Sequence, residues 1–125
     1  MGGFLSVPGQ TIYGAAKAGV KILTEGLYSE LKNTNVHVTV VFPGAIATNI
    51  TENSGLGKPK SNGDSKLKPL PAEKAAEIII DGIDKNKFRI LVGKDASFLD
   101  FLYRLAPQYA TNFIQKKMSE LLVVR

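Results

Sequence analysis

A tyrosine and a lysine four residues apart, in the run Tyr13-Gly14-Ala15-Ala16-Lys17, have the clearest chemical potential in the chain. On a helix that spacing puts both side chains on one face, with Cβ atoms about 6 Å apart. A lysine ammonium beside a phenol favours the phenolate, which makes a tyrosine usable as an acid or base near neutral pH. The same spacing is common on ordinary amphipathic helices, so the pair alone does not establish catalysis. Its surroundings add weight. Small residues separate the two side chains, so the backbone between them can be approached closely. A loop, Val7-Pro8-Gly9-Gln10-Thr11, runs straight into the tyrosine, and one strand later comes Pro43-Gly44-Ala45-Ile46-Ala47-Thr48.

Other chemistries have little to work with. The 125 residues include no cysteine and a single histidine, His37. That excludes a disulfide scaffold, a thiolate metal site and a cysteine nucleophile. It leaves almost nothing for a multi-histidine zinc site or a Ser-His-Asp relay, and no metal ligand is nominated. His37, at the start of a strand, reads as a surface or strand-end residue. Apolar residues at 44% and charged residues at 22% argue against wholesale disorder. The formal charge is +5. Between Ser54 and Lys68, Lys58, Lys60, Lys66 and Lys68 stand against Asp64 alone, a net +3. No aromatic is interleaved there to stack on bases, so a solvated loop is expected and no nucleic-acid partner. Asn49-Ile50-Thr51 is a glycosylation sequon with no sign of a secretory route. The opening Met1-Gly2 with Ser6 fits the short and common myristoylation pattern, which is not adopted. No apolar run approaches the ~20 residues of a membrane-spanning helix, and no signal peptide is evident. A cytoplasmic protein is expected.

The pair needs a helix to hold it. Tyr13, Ala16, Lys17, Val20, Leu23, Leu27 and Leu31 recur at helical spacing over about Ile12 to Lys32, with Thr11 as N-cap and Asn33 and Asn35 at the stop. Val36 to Phe42 reads as a strand ended by Pro43-Gly44, and its near-continuous apolar character suits a parallel strand covered on both faces. Open α/β sheets bind ligands at the carboxyl ends of such strands. Ala45 to Lys68 is polar and irregular, long enough for a functional loop. Pro71 opens a second helix whose inner face is Ala72, Ala75, Ala76, Ile79 and Ile83. Phe88 to Val92 is a short strand closed by Gly93. Residues 95–125 form a helical tail broken at Pro107. Its stripe of Phe98, Leu99, Leu102 and Leu105, then Phe113, Ile114, Met118, Leu121 and Leu122, is read as buried against the core or a partner subunit. Lying on a membrane surface is the lesser alternative.

Taken in order, the Tyr-Lys helix, Pro-Gly-x-Ile-x-Thr after the next strand, a variable loop, a helix near Pro71 and a last strand ending in glycine resemble the short-chain dehydrogenase/reductase family. The resemblance covers nearly the whole chain. It implies an α/β fold: the carboxyl-terminal half of one NAD(P)-binding Rossmann-type, doubly wound parallel sheet. Present would be the last two strands, their flanking helices and the helical tail. It implies a hydride transfer between a nicotinamide cofactor, NAD or NADP, and an alcohol or carbonyl substrate. Tyr13 would be the acid/base. Lys17 would assist it and hydrogen-bond the nicotinamide ribose. Pro43 and Gly44 would line the nicotinamide pocket, the Ile46 backbone would meet the carboxamide, and Thr48 would bond the carboxamide or pyrophosphate. Residues 47–68 would form a substrate lid, and a homo-oligomer would form through the first helix.

The chain also departs from the family. It has no glycine-rich dinucleotide turn and no Asn-Ala-Gly motif. The family's serine falls thirteen residues before the tyrosine, at position zero. Ser6 lies too close to Tyr13 to replace it. The expectation is therefore that Met1 is an internal methionine, a start assigned too late, or the edge of a gene remnant. The isolated fragment is expected to be inactive, to leave a strand edge unpaired and to expose an apolar face. A non-enzymatic remnant serving as an interaction or dimerisation module is the alternative function. The substrate is left open, with the aromatic tail leaning slightly towards a lipophilic one, and epimerases and dehydratases of the wider superfamily also use the pair.

Overall fold

The computed structural model describes residues 2–48 and 69–122. Of the expected lid only Ala47 and Thr48 fall inside that range; the sequon and the lysine-rich stretch lie outside the described residues. In chain order the elements are α1 (Thr11–Leu31), β1 (Val40–Pro43), β2 (Ile46–Ala47), β3 (Leu70–Pro71), α2 (Ala72–Asp84), β4 (Arg89–Val92), α3 (Lys94–Leu105) and α4 (Pro107–Leu122). The fold is α/β, built on small parallel pairings flanked by helices, as a partial Rossmann-like fold requires.

β1 and β4 pair in parallel, from Val40 opposite Arg89 to Pro43 opposite Val92. The strand starts at Val40 rather than at Val36 because its partner is short. Upstream of Phe88 the chain is still turning out of α2 through Asn86, which has a positive φ of 51°. The last ties on this side are Val40 N–H to the Phe88 carbonyl (2.9 Å) and Thr39 Oγ1 to the Lys87 carbonyl (3.0 Å). A second parallel pair, Ile46 and Ala47 with Leu70 and Pro71, was not expected from sequence. It makes Pro71 the N-cap of α2 and the end of β3, one residue before the helix begins.

The sheet is covered on both faces, as the apolar run in β1 suggested. On one face Ala75 of α2 packs with Ile90 and Val92, joined by Val41, Ile46, Leu70 and Ile79. The approach is close: a side chain at Gly82 would run into Ile90. Ile83 and Ala76 turn outward instead, so the inner face of α2 is narrower than its apolar residues implied. On the other face the Phe42 ring meets Phe4 at 5.5 Å and the Arg89 guanidinium at 4.5 Å. There the N-terminal loop joins the tail: Leu5, Leu99 and Ala110 form a core with Phe4, Leu102, Tyr103, Phe113 and Ile114 around it. Part of the tail stripe is thus buried within this chain, while Phe98 and Leu105 remain exposed.

α1 has the expected period but little to pack against. Gly14 is its one buried residue, and Ile12, Val20, Ile22, Leu23 and Leu27 are exposed. Its N-cap is Gln10, with no side-chain bond, rather than Thr11, which is the first helical residue. At the other end Thr34, between the two asparagines, returns its N–H and Oγ1 to the Leu31 carbonyl. No described helix is long and apolar enough to cross a membrane.

One buried ionic group ties the layers. Asp100 of α3 is 6% exposed. It accepts from Arg89 Nη2 at 2.5 Å and from Arg104 Nε at 3.2 Å. Removing one member of a buried pair leaves the other charge unpaired, at a cost of about 3–5 kcal/mol. Arg104 is largely solvent-exposed, and such contacts contribute about 1 kcal/mol or less. Urea denaturation should therefore show Asp100→Ala destabilising the chain by about 3 kcal/mol or more, and Arg104→Ala by no more than about 1 kcal/mol.

Candidate active site

α1 sets Tyr13 and Lys17 on one face as their spacing requires, and Lys17 Nζ stands 5.4 Å from the centroid of the Tyr13 ring. Both are exposed; Tyr13 keeps 55% of its surface. Beneath them the helix is pinned by the N-terminal loop. Gly14 lies under Ser6, and a Cβ on Gly2 would touch the edge of the Tyr13 ring. A Cβ on Gly3 would stand 3.2 Å from the Lys17 carbonyl and 3.4 Å from the Phe42 ring. The glycine-rich start thus acts as a thin spacer between the Tyr-Lys turn of the helix and β1.

The Pro43–Thr48 segment is a second group. Pro43 ends β1 opposite Val92. Gly44 N–H donates to the Val92 carbonyl at 2.8 Å, and the Ala45 carbonyl accepts from Leu70 N–H at 2.9 Å. Ala45 N–H donates to Asp95 Oδ2 at 2.7 Å. Ile46 packs its side chain into the α2 cluster and pairs in parallel with Leu70. Thr48 is exposed and is the last described residue of the segment. Among the described residues no hydrogen bond joins Tyr13 or Lys17 to this turn. Their link is the Gly3–Phe42 contact, through the strand that carries the turn.

A cavity of about 530 Å³ opens between the N-terminal loop, α1 and the tail, with Ser6, Gly14, Ala18, Lys21 and Tyr103 in its wall. Neither Tyr13 nor the turn lines it. The donor set suits one end of a nicotinamide cofactor: a phenol and an ammonium side by side for a reacting oxygen and sugar hydroxyls, and a turn of backbone groups for an amide. Among the described residues there is no comparable set for a pyrophosphate or an adenine.

Two features escaped the sequence reading. The Arg89–Asp100–Arg104 group joins a strand to a helix eleven residues on, a separation with no local rule. Asp95 is the other. As an acidic residue in the first turn of α3 it reads as a favourable helix-dipole position. Nothing local ties it to Gly44, fifty residues earlier.

Comparison with known proteins points to one family. Residues 1–58 match the family model described as short chain dehydrogenase. Over 111 residues the chain is 34% identical to the putative oxidoreductase SadH of Mycobacterium tuberculosis, covering 82% of this chain and 40% of that protein. It is 29% identical over 107 residues to dehydrogenase/reductase SDR family member 7B of Rattus norvegicus, covering 83% and 31%. It is also 49% identical over 51 residues to a 3-oxoacyl-(acyl-carrier-protein) reductase of Synechocystis, covering 41% and 21%. The chain belongs to the short-chain dehydrogenase/reductase family of oxidoreductases. It spans about 40% of the length of SadH and less of the other two. No solved structure matches it.

Gly44 tests the packing of the turn. A Cβ there would run into the Asp95 carboxylate, and overpacking of this kind costs about 1–3 kcal/mol. Gly44→Ala is expected to lower stability by that amount in urea denaturation and to abolish the Ala45–Asp95 bond, read as faster exchange of the Ala45 amide.

Proposed function

We propose that this chain supplies the Tyr-Lys side of the active site of an NAD(P)-dependent short-chain oxidoreductase. The site would act on an alcohol or carbonyl group of a small molecule. The observation that carries this reading is the Tyr13–Lys17 pair, held on one exposed helix face beside the strand that ends in Pro43-Gly44. In a member of this oxidoreductase family, that juxtaposition needs a reason, and proton exchange at a reacting oxygen supplies one.

A nicotinamide held there would supply the hydride in reduction and accept it in oxidation. Tyr13 gives its phenolic proton to the carbonyl oxygen in the first direction and takes it from the alcohol in the second. The Lys17 ammonium stabilises the negative charge left on the phenol oxygen and offers donors to the ribose hydroxyls. The backbone at Ile46 and the Thr48 hydroxyl would hold the nicotinamide carboxamide, and Pro43 and Gly44 would line the pocket. The exposed apolar face of α1 supports a covered state in the working protein, with a second copy of the chain as the occupant. The comparisons do not favour the interaction-module alternative.

Two measurements test this. In a protein carrying the segment, Tyr13→Phe should lower kcat by about 10²–10⁴, the usual weight of a positioned general acid or base. KM should change little. An undiminished kcat would refute the assignment. Purified 1–125, offered NADH or NADPH with a panel of aldehydes and ketones, should show no turnover above the blank. Robust turnover would show that the 125 residues alone bind and use the cofactor, and would contradict the expected inactivity.

A further inference from the structure

Among the described residues, three backbone-donated hydrogen bonds tie the turn after β1 to other elements: to the end of β4 through Val92, to β3 through Leu70, and to α3 through Asp95. Of these three bonds, the third is accepted by a side chain. The Asp95 carboxylate lies in a slot framed by two glycines. A Cβ on either Gly44 or Gly93 would run into it, and the Cβ position of Gly93 is 4.0 Å from Gly44 Cα. The first turn of α3 favours a negative charge there, and a backbone N–H bonds a carboxylate more strongly than a carbonyl.

The Gly44–Ala45 peptide is the joint between the four-residue β1–β4 ladder and the two-residue β2–β3 pair. A two-residue pair is too short to fix its own orientation. Rotation at this joint would swing every backbone group from Ala45 to Thr48 together. The Ala45–Asp95 bond opposes that rotation at the joint itself, alongside the packing of Ile46 and Leu70 against α2.

We propose that Asp95 is a positioning residue for this turn. Its carboxylate fixes the Gly44–Ala45 peptide so that the Ile46 backbone and Thr48 meet a nicotinamide carboxamide in one orientation. The proposal rests on the cofactor reading above. Without Asp95 the turn still forms but samples several orientations. Apparent affinity then falls in proportion to the fraction in the competent one.

The test is amide NMR of the full 125-residue chain titrated with nicotinamide mononucleotide, which probes the nicotinamide end alone. In the wild type the ligand should shift amides at Ala45–Thr48 and around Tyr13 and Lys17. In Asp95→Ala, exchange of the Ala45 amide should rise about ten- to a hundredfold, the weight of a hydrogen bond to a charged group. The mononucleotide dissociation constant should rise about tenfold. Asp95→Asn keeps an acceptor and should restore both to within about threefold of wild type. If Asp95→Ala does not fold, Asp95→Ser, whose shorter side chain withdraws the acceptor from the Ala45 N–H, should give the same two effects. Faster Ala45 exchange with unchanged affinity would reduce Asp95 to a structural tie and overturn the proposal, as would unchanged exchange. If the wild type shows no ligand-dependent shift, the cofactor reading fails and the positioning role falls with it. Ala45 exchange then reports separately whether the clamp exists.

Discussion

Parallel pairing of β1 with β4 is the constraint on which the rest of the described structure depends. Parallel strands finish at the same end of a sheet. The turn leaving β1 and the helix following β4 must therefore emerge side by side. That is how Gly44 and Asp95, fifty residues apart, come into contact. The ladder is only four residues long, so its two covered faces do most of the holding: Ala75 and Ile79 against Ile90 and Val92 on one side, Phe4 and Arg89 against Phe42 on the other. Arg89 belongs to the strand, yet its charge is answered by Asp100 in the helix beyond. The ion pair therefore fixes how α3 leaves the sheet, and with it where Asp95 points.

The Tyr-Lys helix stands in a looser relation to that frame. α1 meets β1 through Gly3, where a Cβ would sit tightly between the Lys17 carbonyl at 3.2 Å and the Phe42 ring at 3.4 Å. This thin contact brings Tyr13 and Lys17 up to the strand whose end carries the turn, and leaves the outer apolar face of α1 exposed. In the function proposed for this chain, the helix would present proton chemistry and the strand end backbone groups, with the ladder and its two covered faces keeping both in register.

Much of this was legible in the sequence where the rule is local. Tyr13 and Lys17 share a face because helical periodicity alone decides it. The run Val40-Val41-Phe42 announced a strand with two covered faces, and Pro107 announced the break in the tail. What was not legible depends on contacts between distant segments. The length of β1 is set by where its partner begins, which Val36 to Phe42 cannot encode. Pro71 has the residue type of a helix opening, and pairing with Ala47 made it the end of a strand instead. Leu23 and Leu27 carry the spacing of a buried face, but spacing does not say what covers it. Asp95 was the costliest miss. Gly44 and Gly93 each mark a strand end in the sequence, and only the parallel pairing shows that the space both leave is filled by one carboxylate.

The central claim is that Tyr13, Lys17 and the Pro43–Thr48 turn face one nicotinamide. Intermolecular nuclear Overhauser contacts from the nicotinamide ring protons of a bound mononucleotide measure this most directly. The account predicts contacts to the Tyr13 ring and to backbone protons of Ile46 or Thr48 within the same complex. Contacts confined to one of the two groups, or lying along the cavity wall at Ala18 and Tyr103, would contradict it.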